Sequence, residues 1–136
     1  MARRSRAREV ALQVLFQDDL NPGANPQAVE AFLAGRLASP ELVDFARSLV
    51  SGVLRNRQEL DTLLSETADN WSLSRMAATD RNILRLGAFE LLYTSTPPRV
   101  TINEAVELAK RYGAKQSPQF VNGILDQLFA GRDDLT

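Results

Sequence analysis

The stretch VTINEAVELAKRYGAKQSPQFVNGILDQL, residues 100–128, reads as two amphipathic helices joined by a short turn. Ala105, Val106, Leu108 and Ala109 recur at helical spacing, and Phe120, Val121, Ile124, Leu125 and Leu128 repeat the pattern further on. Thr101 and Glu104 have the spacing of a capping box, with Val100 as the apolar staple before it, which predicts a helix start at Thr101. Gly113 is expected to end that helix in a left-handed conformation, and Ser117-Pro118 to open the next. No part of the stretch alternates with the period of two that a strand needs.

Working outward, the same signals recur. Ala7, Val10, Ala11, Val14 and Leu15 share one face of a first helix over about residues 5–20, with Ser5 as its expected cap. Asn21-Pro22-Gly23 breaks it. Asn25-Pro26 and Ser39-Pro40 each place a capping side chain before a proline at the first helical position. The second helix buries Val29, Phe32, Leu33 and Leu37. The third carries Leu42, Phe45, Ala46, Leu49, Val50 and Val53, and Leu60, Leu63 and Leu64 mark a fourth. Trp71 sits by a loop, as a core or hinge residue, next to a short segment ending near Met76. A long helix follows over about Thr79 to Thr94, halted by Pro97-Pro98. Gly87 and Gly123 fall inside helical pattern, where close packing against a neighbouring helix is the expected reason. The fold class is all-α, with seven or eight helices in one compact domain and a seam between two helical halves within residues 56–70.

Composition bounds the chemistry. A chain of 136 residues fits one domain with its own core. It has no Cys, which removes thiol nucleophiles, disulfides and Cys-zinc sites. It has no His, which removes the usual metal ligand and the usual neutral-pH base. Glu104 and Glu107 share a helix face at i, i+3, but the His that completes such metal sites in helical bundles is missing, and a solvated or capping pair is the expectation. The seven glycines are scattered singly and form no phosphate loop. No catalytic residue, metal or cofactor is expected. No apolar run spans a bilayer, and Met1-Ala2 leads straight into arginines without a signal-peptide stretch, so a soluble cytoplasmic protein is expected.

The net charge of -1 conceals a division: Arg3, Arg4, Arg6 and Arg8 give the first eight residues +4, and the rest of the chain carries -5. Arginine forks pair bidentately with phosphate and stack on bases, so the tip reads as a nucleic-acid contact, or else as a solvated basic end. A second basic element is Lys110-Arg111-Tyr112-Gly113-Ala114-Lys115-Gln116-Ser117-Pro118-Gln119-Phe120, which gathers three cations, two amides among its glutamines and two aromatics around a helix start. Helix N-termini attract phosphate, and aromatic rings stack unpaired bases. For Phe120 a core role is favoured, with Ile124 one turn on. For Tyr112 core and stacking roles stand level. Together, the tip and this turn suggest two lobes of one RNA-binding surface.

At these residues the chain resembles the NusB transcription antitermination family. The resemblance lies in residues 100–128, in Asp80-Arg81-Asn82-Ile83-Leu84-Arg85-Leu86 running into Phe89-Glu90-Leu91, and in Arg6-Ala7-Arg8-Glu9 followed by Ala11-Leu12-Gln13 and Leu15-Phe16. Asp61 near Trp71 fits the middle of the pattern, and the match is weakest over residues 20–40. The resemblance implies a NusB-like helical domain over 1–136, about seven helices in two packed subdomains, roughly 1–70 and 71–136. It implies binding of boxA single-stranded RNA from ribosomal RNA operon leaders together with NusE, a ribosomal small-subunit protein. The complex would load onto RNA polymerase with other Nus factors and suppress early termination.

The RNA surface implied is Arg3, Arg4, Arg6 and Arg8 with Lys110, Tyr112, Lys115, Gln116 and Phe120. Phe16 and Asp80 would face NusE. The arginine tip is short, and Gln116 stands where some relatives have an acid, which bears on affinity and fine contacts. A domain of this fold also precedes the catalytic domain of RNA cytosine methyltransferases. Residues to Thr136 contain no such domain, so a stand-alone factor is expected, as monomer or homodimer. The competing expectation is a helical protein-interaction adaptor in ribosomal RNA maturation that binds no RNA itself.

Overall fold

A computed structural model describes residues 3–23, 25–68 and 72–134, the last three as backbone only. Trp71 and the side chains of Asp133 and Asp134 therefore lie outside the described residues. Those residues form α1 (Arg3–Leu20), α2 (Pro26–Arg36), α3 (Pro40–Arg55), α4 (Arg57–Thr67), a one-turn 3₁₀ helix (Leu73–Arg75), α5 (Ala78–Tyr93), α6 (Pro98–Tyr112) and α7 (Ser117–Asp134). No strand occurs among them, and the all-α expectation holds.

The helices gather into two compact units, residues 1–55 and 56–136. A boundary near residue 70 would put α4 with the N-terminal helices, whereas α4 groups with the C-terminal ones. Leu60 and Leu64 explain the assignment: both are fully buried on a helix that packs against α5 and α7.

In the first unit α1 and α2 lie on α3. Ala7, Val10, Ala11 and Leu15 of α1 and Ala46, Leu49 and Val53 of α3 are buried. Both cap-plus-proline signals hold. The Asn25 carboxamide oxygen accepts from the Gln27 N–H at 2.8 Å, and Ser39 Oγ accepts from the Leu42 N–H at 3.3 Å. Ser5 does not cap α1, because the helix already begins at Arg3 and leaves Ser5 in its first turn.

In the second unit α5 is buried all round from Asn82 to Leu91 and contacts α4, α6 and α7. Gly87 allows this closeness: a Cβ there would fall 2.8 Å from Leu125 Cδ1 and 3.5 Å from Ala105 Cβ. Gly123 does not share that reason, since a Cβ would meet nothing within 4 Å. Arg85 is buried, yet its Nε and Nη2 donate to the two Asp61 carboxylate oxygens at 2.7 and 2.9 Å, which ties α5 to α4. Arg81 Nη1 donates to the Leu73 and Met76 carbonyls at 3.0 and 3.2 Å and pins the 3₁₀ turn.

Two sequence signals are overridden here. The capping box at Thr101 and Glu104 is not used, because Pro98 occupies the first turn with its preset φ and starts α6 three residues earlier. Thr101 is consequently a buried residue inside α6, its N–H closing the first turn on the Pro97 carbonyl, and Val100 is exposed rather than stapling the helix start. Gly113 ends α6 in an extended conformation, φ -92° and ψ -173°, not a left-handed one. Glycine is needed for room: a Cβ would lie 2.6 Å from Ser117 Oγ and 2.8 Å from the Ala109 carbonyl oxygen.

Candidate nucleic-acid interface

The four arginines of the tip have different environments. Helical spacing puts Arg4 and Arg8 one turn apart on the same side of α1. Both lie over the ring of Phe45 on α3, with guanidinium carbons 4.4 and 5.2 Å from its centroid. Arg4 is exposed, and Arg8 is buried. Arg3 is exposed and donates from Nη2 to Ser39 Oγ at 3.1 Å. Arg6, partly exposed, forms an ion pair with the buried Glu9, which leaves it less positive field to offer a phosphate than Arg3 or Arg4.

The turn between α6 and α7 is built tightly and presents its side chains outward. The Gly113 N–H donates to the Ala109 carbonyl at 2.9 Å and closes α6. Ser117, buried, accepts from the Ala114 N–H through Oγ at 2.9 Å, and its own N–H returns to the Ala114 carbonyl at 3.1 Å. Around this frame Lys110, Tyr112, Lys115 and Gln116 are exposed, and Phe120 is half-buried. Tyr112 keeps 39% of its surface, which places it at the surface of the turn rather than in the core. Lys110 is partly engaged by Glu107 at 3.2 Å, an exposed pair that costs little to open.

Phe16 on α1 and Asp80 in the first turn of α5 are both half-buried. Asp80 Oδ1 is buried with no hydrogen-bond partner among the described residues, a state that an incoming donor would relieve. Sequence reasoning missed Phe45 and Ser39 as parts of the tip. Phe45 shares the apolar spacing of the α3 core stripe, and no pattern links it to arginines some forty positions earlier. Among the described residues no group of three or more acids could hold a metal ion, and no helix is long and apolar enough to cross a membrane.

The fold and these surfaces define a class: an all-helical binding module with a basic helix tip and an aromatic, cationic turn. The NusB family pattern matches residues 5–129, and the chain belongs to the NusB family. The transcription antitermination protein NusB of Anaeromyxobacter dehalogenans is 45% identical over 131 residues, 96% of this chain and 92% of its own. A solved structure of T. maritima NusB superposes with a TM-score of 0.84 at 37% identity, covering 95% of this chain and 92% of that one. A chain in a crystal structure of antitermination factors NusB and NusE in complex with double-stranded RNA superposes with a TM-score of 0.86. It is 27% identical and covers 96% of this chain and 99% of its own.

Proposed function

We propose that the chain is a transcription antitermination factor that acts by binding rather than by catalysis. It takes boxA-type single-stranded leader RNA of ribosomal RNA operons together with NusE, and with other Nus factors it keeps RNA polymerase processive. The work is cytoplasmic, and the chain acts as a monomer or homodimer. The observation that carries this reading is the near full-length likeness to proteins named for antitermination, one of them crystallised with NusE and RNA.

The chain's own residues supply the physical means. Arg3 and Arg4 present exposed guanidinium groups to phosphates, with Arg6 a weaker third. Tyr112 stacks an unpaired base, worth about 1–3 kcal/mol. Lys115 and Lys110 add positive field, and the exposed Gln116 amide reads a base edge. Phe120, half-buried in the first turn of α7, supplies the second aromatic of this surface. Arg8 is buried beside the Phe45 ring, so it contributes to this surface by supporting the tip. Phe16 and Asp80 receive NusE, and the -5 charge of residues 9–136 favours encounter with a basic ribosomal protein.

Fluorescence anisotropy of a labelled boxA-type RNA, titrated with the protein in the presence and absence of purified NusE, tests this directly. Binding that tightens when NusE is added is expected. NusE association with no RNA binding by the pair would favour the adaptor reading instead.

A further inference from the structure

We infer that Phe45, with Ser39, is a positioning residue for RNA: it holds the arginine tip in its binding arrangement before RNA arrives. The inference rests on the RNA-binding reading above. Its observations are the shared ring under Arg4 and Arg8 and the 3.1 Å bond from Arg3 to Ser39 Oγ, which together anchor three of the four tip arginines to α3. Ser39 also accepts from the Leu42 N–H, so its hydroxyl is itself fixed by the start of α3.

A guanidinium stacked on a ring face keeps its N–H edges open to acceptors, so the contact orients the group without using up its donors. Arg8 is the buried member of the stack and has little surface to offer a phosphate. It fills the ring's surroundings and leaves Arg4 as the outward guanidinium. An arginine otherwise loses its rotamer freedom when RNA binds. One already ordered on Phe45 has lost it in folding, and the saving per side chain corresponds to about a two- to tenfold gain in affinity.

The test is a double-mutant cycle, read by anisotropy of a fluorescein-labelled boxA-type RNA with NusE present. Phe45→Leu is expected to weaken binding by about three- to tenfold with an unchanged salt slope, since the same phosphates are still neutralised. Phe45→Tyr, which keeps the ring, is expected to bind as the unaltered protein does. In an Arg4→Ala background, Phe45→Leu is expected to have less than about a twofold effect, because its target is gone. A purely structural role for Phe45 would weaken binding equally in both backgrounds, and that result would overturn the inference. So would full affinity in Phe45→Leu while Arg4→Ala binds weakly, an outcome that leaves the RNA reading intact. If Arg3→Ala and Arg4→Ala both bind RNA normally, the RNA reading of the tip fails, and this inference with it. Should Phe45→Leu melt out, Ser39→Ala in the presence and absence of Arg3→Ala runs the same cycle on the exposed arm.

Discussion

Removing the Asp61 carboxylate should unfasten α4 from α5, and its cost follows from the geometry. The Arg85 side chain is 5% exposed and donates to both Asp61 oxygens, at 2.7 and 2.9 Å. Breaking a buried pair by deleting one partner costs about 3–5 kcal/mol, mostly because a charge stays behind without compensation. Asp61 is 30% exposed, so water can reach its place, and Arg85 Nη1 keeps a weaker bond to Asn82 Oδ1 at 3.3 Å. The expected cost of Asp61→Ala is therefore about 2–3 kcal/mol. In urea, with m of roughly 1–3 kcal/mol/M for a chain of this size, the midpoint should fall by about 1–2 M at unchanged m. Adding Arg85→Met removes the buried charge and should recover at least about half of the loss. If Asp61→Ala costs less than about 0.5 kcal/mol, or if the double variant is less stable than the single, the pair is not the fastening described.

Three further outcomes are expected. Gly123→Ala should stabilise by about 1 kcal/mol, because helix propensity improves and the added methyl meets nothing within 4 Å, and thermal denaturation would show it. Gly87→Val should destabilise by about 1–3 kcal/mol in the same assay, since even a Cβ sits 2.8 Å from Leu125 Cδ1. Partial burial of the ring and the nearby Glu59 carboxylate, which accepts from the phenol, hold Tyr93 above its ordinary value of 10.0. With the neutral form favoured by folding, this contribution is complete below pH 10 and is lost as the pH rises through the folded-state value. In a Tyr112→Phe background Tyr93 is the only tyrosine, so phenolate absorbance should show a midpoint above 10.0 that falls when Glu59→Gln is added.

Local rules made the helices legible. Asn25-Pro26 and Ser39-Pro40 each carry a cap and a preset φ in adjacent residues, and both act as read. Where two local signals competed, sequence could not rank them: Pro98 and Thr101 both announce a helix start, and the proline wins because it comes first and already has helical φ. Gly113 marks the end of α6 in the sequence, but the reason for glycine there is the closeness of the Ser117 side chain and the Ala109 carbonyl, which a conformational rule for glycine does not see. The turn of the candidate site was legible because all its parts are neighbours in sequence. The arginine tip was legible only as charge. That Arg8 is buried, and that Arg4 and Arg3 are held by α3, depends on Phe45 and Ser39, whose nearness arises from the packing of α1 on α3. The Asp61–Arg85 pair has the same origin, in residues on α4 and α5 that no periodicity connects.

The salt dependence of boxA-type RNA binding, measured with NusE present on the unaltered protein and on the Arg3→Ala, Arg4→Ala double variant, tests the central claim most directly. Each phosphate neutralised on a single strand adds ~0.7 to the log–log slope, so loss of two exposed arginines should flatten the slope by about 1.4 and weaken binding at low salt. An identical slope and affinity in the two proteins, with NusE still bound, would show that the basic tip does not hold RNA and would contradict the account.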